Sequence, residues 1–285
     1  MAASMPCKDC VSGTLHEGTP AGREETIHGL AAYVTEPPNG VTSKGIIVII
    51  PDAFGWRLVN SRVLADRYAE RGGFTVYLPE FMDGSMMDPS ALDTTSIITN
   101  PAVPIYQKIL PGLSLVTQFL PWVYFVRQSI TEPRILAFFA ALRTSTNLPI
   151  GAAGFCWGGK YVVLLCADEH KTASGASLID AGYTAPPSQL VMPTDLEKVK
   201  LPLCVSNGTQ DFHLKPHDME KIKDIFAAKE KEYGEGKFEM NVIEGARHGF
   251  AVRGNPGDEK EKARGQLAED QAVEFFGRCL VKGRT

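Results

Sequence analysis

Long, uncharged apolar runs are missing from this chain. The longest apolar stretch, around Leu113 to Val126, is interrupted by Gln118 and Pro121 and falls short of a bilayer-spanning length. Met1 to Pro20 holds no apolar segment of the kind that directs secretion, so the expectation is a cytoplasmic chain with reduced thiols. A basic excess is missing too: the formal net charge is −4 and the Lys and Arg residues are dispersed, which leaves no electrostatic footprint for nucleic acid. No glycine-rich dinucleotide fingerprint follows Ile50 and no cluster has metal-ligand spacing, so neither cofactor nor metal is expected. Cys7 and Cys10 form a lone C-x-x-C near His16. It has no fourth ligand for zinc and no following helix for redox chemistry, and it reads as two ordinary thiols in an N-terminal arm.

What is present is an alternation of apolar runs and amphipathic stretches. Of the residues 44% are hydrophobic and 22% charged, ordinary values for a globular protein, and 285 residues are enough for a large core. Ile27 to Val34 reads as one strand. Gly45 to Ile50 and Phe74 to Pro79 have the continuous apolar character of strands buried on both faces of a parallel sheet. Further strands are expected over 148–153, 174–179, 201–206 and 238–243. Helices are expected over 60–71, 135–143, 216–233 and 266–280, while 186–200 is irregular and 252–265 a charged, solvated segment. Strand and helix alternate, so the expected fold is one doubly wound, mostly parallel α/β domain over 1–285, with residues 1–25 a surface arm. After the second buried strand, residues 84–131 are rich in proline and apolar side chains. They read as an insertion of short helices over the sheet, a wall or lid, with most of Tyr106, Leu110, Phe119, Trp122, Tyr124 and Phe125 in the core.

The chemistry concentrates in Pro149 to Lys160, where an apolar strand runs into Gly154-Phe155-Cys156-Trp157-Gly158-Gly159 and then an apolar helix. A reactive side chain between glycines at a strand-to-helix turn is the nucleophile elbow, and a helix N-terminus favours a thiolate there. Ligands bind at the carboxyl ends of strands in open α/β sheets. Asp52, Cys156, Asp211 and His248 each stand at such an end. The order nucleophile, acid, histidine is that of the α/β-hydrolase fold. Taken singly, His248 fits a turn, Asp211 an Asx turn, Asp52 a helix cap and Cys156 a buried thiol. Taken together they fit a site.

Four motifs in order, Pro51-Asp52-Ala53-Phe54-Gly55, Gly154 to Gly159, Gly208-Thr209-Gln210-Asp211 and His248-Gly249-Phe250, resemble the dienelactone hydrolase (carboxymethylenebutenolidase) family from about Gly45 onward. The first forty residues are similar to the leader of its fungal members. The resemblance implies Cys156 as nucleophile, His248 as general base and acid, and Asp211 as orienter of His248. It also implies an oxyanion hole from the backbone N–H groups of Ala53 and Trp157. Asp52 stands where the family has a glutamate that helps activate the cysteine, and Arg253 is near one of two arginines that hold a substrate carboxylate. The other is missing: Glu80 to Asp83 contains no arginine. The expected function is therefore hydrolysis of lactones or esters through a thioester, the alternative being a non-hydrolytic polyketide-tailoring protein that uses the same pocket. Phe54, Trp56, Phe81, Met82, Trp122, Tyr124, Trp157 and Phe250 are candidate pocket residues for a bulky substrate. The only expected partner is that small lactone or ester, bound by a monomer or homodimer without nucleic acid or membrane.

Overall fold

In the computed structural model, which describes residues 12–15 and 18–281, the continuous apolar runs become the centre of an eight-stranded sheet. The strands are β1 Arg23–Ile27, β2 Leu30–Thr35, β3 Ile46–Ile50, β4 Thr75–Pro79, β5 Ile150–Cys156, β6 Ala181–Pro187, β7 Leu203–Gly208 and β8 Phe238–Ile243. The helices are α1 Val59–Gly72, α2 Ser90–Thr99, α3 Ile105–Phe125, α4 Gln128–Ser145, α5 Trp157–Cys166, α6 Thr194–Glu197, α7 Pro216–Tyr233, α8 Phe250–Arg253 and α9 Glu259–Val281. The sheet order is β1-β2-β4-β3-β5-β6-β7-β8, parallel from β4 to β8 and antiparallel at the β1–β2 edge.

Residues of β3 and β5 are buried throughout because helices cover both faces. α1 and α9 lie on one side, and α5 leads the other. A side chain at Gly151 would meet the Phe276 ring of α9 at 2.7 Å, and one at Gly182 would meet Cys166 of α5 at 2.5 Å. The small residues of β5 and β6 therefore let two helix layers approach the sheet, and each isoleucine of β3 stabilises this sandwich by about 2 kcal/mol. The doubly wound architecture stands as expected.

Several expectations are corrected. Ile27 to Val34 is a hairpin: His28 (φ 49°) and Gly29 (φ 83°) make the two-residue turn that matches strand twist. Its first strand starts at Arg23, so the arm is shorter than 25 residues. Ser174 to Ile179 is not a strand; the strand is β6, whose Pro186 and Pro187 lie beyond the Gly182–Thr184 ladder with β7 and so break none of its bonds. The segment 252–265 holds a buried Arg253 and the start of α9. α3 is a single 21-residue helix despite internal Pro111 and Pro121, and α4 starts well before Ile135. In α3, Phe119 and Trp122 are buried, but Tyr106, Leu110, Tyr124 and Phe125 are exposed. Cys7, Cys10 and His16 lie outside the described residues. Among the described residues, no single helix is long and apolar enough to cross a membrane.

Candidate active site

The site starts at the β5–α5 junction. Cys156 has φ 52° and ψ −113°, a sparsely populated conformation for a residue with a Cβ, costing on the order of 1–3 kcal/mol. Its neighbours over-determine it. A Cβ on Gly158 would lie 2.0 Å from the Ile50 carbonyl oxygen, one on Gly154 2.5 Å from the Gly158 carbonyl oxygen, and one on Gly159 2.3 Å from Thr184 Oγ1. The glycines of the motif thus permit β3, β5 and β6 to crowd around the turn. Cys156 is 2% exposed. Its Sγ points to Ser188 Oγ at 3.9 Å, and the Ser188 N–H donates to the Cys156 carbonyl at 2.9 Å.

Histidine and acid come from the next two parallel strands. After β7, the Asp211 N–H donates to Gly208 O (3.1 Å) and the Gln210 N–H to Ala246 O (3.0 Å). The Thr209 hydroxyl accepts from the Gly245 N–H at 2.8 Å, so the loops bearing Asp211 and His248 are stitched together. A side chain at Gly208 would collide with Ala246 O at 2.1 Å, which keeps this approach open only to glycine. His248 Nδ1 lies 2.7 Å from Asp211 Oδ2, with both side chains fully buried. The other carboxylate oxygen accepts the N–H groups of His213 (2.7 Å) and Leu214 (3.1 Å), so the acid is held at both ends. Burial alone would lower the His248 pKa. The charge of Cys156, the hydrogen bond to Asp211 and the charge of Asp211 outweigh it and raise the pKa to about 10. The other ring nitrogen of His248, Nε2, is buried without a hydrogen-bond partner among the described residues.

Ala53 and Trp157 flank the elbow. β3 and β5 pair in parallel register from Ile46↔Ile150 to Ile50↔Gly154, which brings the loop after Ile50 beside Cys156. The Ala53 carbonyl is tied down by the Met87 N–H at 2.9 Å. Trp157 opens α5, so its N–H has no partner four residues earlier within the helix. Its indole N–H donates to Val126 O (3.3 Å) and its ring stacks edge-on against Tyr161 at 4.7 Å. Tyr161 in turn shares a 2.5 Å hydrogen bond with Thr131, which joins the elbow to the α3–α4 corner.

Asp52 and Arg253 meet in a buried ion pair, Oδ2 to Nε 2.9 Å. Burial raises the Asp52 pKa; Arg253 opposes that shift and the charge of Cys156 adds to it. The Arg253 guanidinium lies over the Phe54 ring, 5.1 Å from its centroid, and the Arg253 carbonyl accepts the Thr14 N–H of the arm at 3.0 Å. A cavity of about 450 Å³ adjoins this loop and is lined by Phe54, Trp56, Met86, Met87 and Glu80 among others. The Trp56 indole N–H is buried without an acceptor among the described residues.

The remaining candidates separate. Trp122 is buried against Phe119 on the inner face of α3. Phe81 is fully buried and packs edge-on to Phe138 at 5.5 Å, a core position, and Met82 is buried beside it in sequence. Phe250 is buried in α8, beyond His248. Tyr124 is on the outer face of α3 under the Arg127 guanidinium and is not brought to the site. Three features escaped sequence reasoning. Ser188 follows a strand whose place was misread. The Phe212 ring lies 5.1 Å from that of His248, beside His213, which the sequence offers as a pocket or surface residue and which lies 4.9 Å from the His248 ring; burial first, then the charge of His248, depresses His213 to about 4. Arg134 reaches from α4 to donate to Phe81 O (2.8 Å) and pair with Asp83 (3.1 Å), so an arginine serves the loop after β4 from 51 residues away. Among the described residues no group of three His, Cys, Asp or Glu side chains is placed to hold a metal ion.

A parallel sheet with a strained strand-to-helix turn at its centre, and polar groups at the neighbouring strand ends, defines an enzyme of the α/β-hydrolase type. Comparison with known families is specific. The model of the dienelactone hydrolase family matches residues 30–280, and the chain belongs to that family. It is a lactone or ester hydrolase by that membership. It is 27% identical over 283 residues to Hydrolase pyvD of Aspergillus violaceofuscus, covering 99% of this chain and 100% of that one. It is 26% identical over 252 residues to the carboxymethylenebutenolidase homolog of Homo sapiens, covering 88% and 87%. A crystal structure of a putative dienelactone hydrolase from Klebsiella pneumoniae shares the fold at a TM-score of 0.64 and 18% identity, over 90% of this chain and 98% of that one.

Proposed function

We propose that the chain hydrolyses a bulky, weakly charged lactone or ester through a Cys156–His248–Asp211 triad and a thioester. The observation that carries this reading is the buried 2.7 Å hydrogen bond between His248 Nδ1 and Asp211 Oδ2, at strand ends beside an elbow that holds a cysteine. In the first half-reaction the Cys156 thiolate attacks the acyl carbon, and the carbonyl electron pair moves to oxygen opposite the Ala53 and Trp157 N–H groups. The C–O bond then breaks as the His248 imidazolium gives its proton to the departing alkoxide. In the second, neutral His248 takes a proton from water, hydroxide adds to the thioester, and collapse expels the Cys156 thiolate. Asp211 keeps the imidazole in the tautomer that both halves require.

Substrate preference follows from the cations. The side chain of Arg253 is buried against Asp52, and Arg134 is engaged by Asp83. Each guanidinium already faces a carboxylate, which supports a neutral acyl group over a dianion. Apolar walls from Phe54, Trp56 and Met87 favour bulk, and the Trp56 N–H offers one donor. The 84–131 segment acts as the roof of this pocket. A panel of aryl esters and lactones tests the reading. Neutral bulky substrates should exceed small dianionic dienelactones at least about tenfold in kcat/KM, and Cys156→Ala should lower kcat/KM by about 10⁴ or more. Turnover retained in Cys156→Ala contradicts covalent catalysis; a preference for the dianion contradicts only the substrate class.

A further inference from the structure

The outer face of α3 is largely uncovered by the described residues, Arg127 over Tyr124 apart. Tyr106, Leu110, Leu113, Val116, Leu120 and Tyr124 are between 43% and 76% exposed. At 100° per residue they occupy one stripe about 120° wide, opposite the inward Phe119 and Trp122. At about 200 Å² per side chain these six expose roughly 700 Å², above the ~300–600 Å² patch usual on a monomer and near the ~800 Å² each partner gives a stable interface.

Two features identify what covers it. The stripe is self-complementary under a two-fold axis crossing it between Leu113 and Val116. Reversing the helix about residue 115 lays Tyr106 on Tyr124 and Leu110 on Leu120, with Leu113 and Val116 straddling the axis, apolar on apolar throughout. This is the pattern of an isologous contact, where residue i meets j and j meets i. The stripe itself is built of uncharged side chains, Lys108 being the one lysine, arginine, aspartate or glutamate in the helix. The Arg127 guanidinium over Tyr124 lies at one end, so in an antiparallel pair the two copies of it fall at opposite ends and do not repel. A lipid surface is matched less well. Interfacial helices set a strongly basic face opposite the apolar one. Here the opposite face is packed on the protein, and the neighbouring segment carries Asp83, Asp88 and Asp93.

We propose that α3 is the interface of a two-fold homodimer, the helices crossing antiparallel at Leu113 and Val116. The pairing is independent of the reaction at Cys156.

Sedimentation velocity on the full chain at about 10 µM should give a dimer, a concentration at which interfaces of this size are normally occupied. Leu113→Glu should raise the dimer dissociation constant at least about 100-fold, as expected for a charge introduced twice at the centre, with the circular dichroism unchanged. A second variant pair keeps the test independent of that substitution. Leu110→Cys should oxidise to a covalent dimer only when mixed with Leu120→Cys, and Tyr106→Cys only when mixed with Tyr124→Cys. A wild-type monomer at ten times that concentration overturns the proposal, as does a dimer indifferent to Leu113→Glu or a Tyr106→Cys variant that links to itself. Flotation of a monomeric chain with phosphatidylcholine–phosphatidylserine vesicles, lost in Leu113→Glu, overturns it in favour of lipid.

Discussion

The elbow and the α2–α3 segment are made of the same ingredients, glycine, proline and apolar side chains, and use them in opposite ways. At the elbow the backbone is crowded from every side. Gly158 has its missing Cβ replaced by the Ile50 carbonyl, Cys156 is buried in a conformation it would not adopt alone, and His248 is fixed by Asp211, itself held by two N–H groups. In α3 the apolar side chains are distributed over both faces, and only the inner ones, Phe119 and Trp122, are buried by this chain. Rigidity is thus concentrated where reacting atoms must be held within a fraction of an ångström. The segment above can vary in packing without disturbing them.

Breaking the rigid side should cost most. Asp211→Asn leaves the volume unchanged but offers an amide in place of the charged acceptor of His248 Nδ1. It should lower kcat/KM by about 10³, by analogy with the loss in other triads, with little change in KM. Steady-state kinetics on one activated ester is sufficient. Next comes Gly158→Ala. Its methyl group cannot coexist with the Ile50 oxygen 2.0 Å away, so denaturant unfolding should show a loss of about 3 kcal/mol. The same substitution at Gly112, whose Cβ position is open, should not destabilise.

The third effect is set by pH. His213 has a folded pKa near 4, below its unfolded value near 6.5, so the unfolded state binds the proton more tightly. Stability is therefore complete above about pH 6.5 and falls as pH drops toward 4. Allowing for partial solvent screening, the loss is about 2 kcal/mol. His213→Gln should remove that part of the slope in urea titrations at pH 7 and pH 5. For His248 the sign is reversed. Its raised pKa keeps it protonated through neutral pH, and kcat/KM should decline as pH rises through about 10.

The smallest effect sharpens the contrast within α3. Trp122→Ala opens the inner face toward the pocket and should raise KM about tenfold for a bulky ester. Leu120→Ser, two residues earlier on the outer face, should change it less than about twofold.

The same contrast explains what could be read from sequence. Order within the elbow is local: glycines at fixed offsets, a strand of small and apolar residues before it and an apolar helix after it describe their own geometry. Asp211 and His248 were legible because parallel strands end at one edge of the sheet. α7 and β8 were legible because their periodicity is unambiguous, Met219, Ile222 and Phe226 facing inward. β6 was missed because two prolines argue against a strand, and only the register shows that they lie beyond its ladder with β7, while Pro187 still pairs with Cys156 of β5. The burial of α3 could not be read, since an apolar helix carries no mark of which face its own chain will cover. Ser188 and Arg134 enter the site through tertiary packing alone.

The central claim, that Cys156 carries the acyl group, can be tested directly by rapid acid quench and intact mass spectrometry with an activated aryl ester. The account predicts a transient increment equal to the acyl group, mapped to the peptide containing Cys156 and lost on hydroxylamine treatment. It also predicts that Asp211→Asn will acylate and deacylate more slowly. Steady hydrolysis with no adduct on Cys156 at any quench time, together with undiminished turnover in Cys156→Ala, would contradict it.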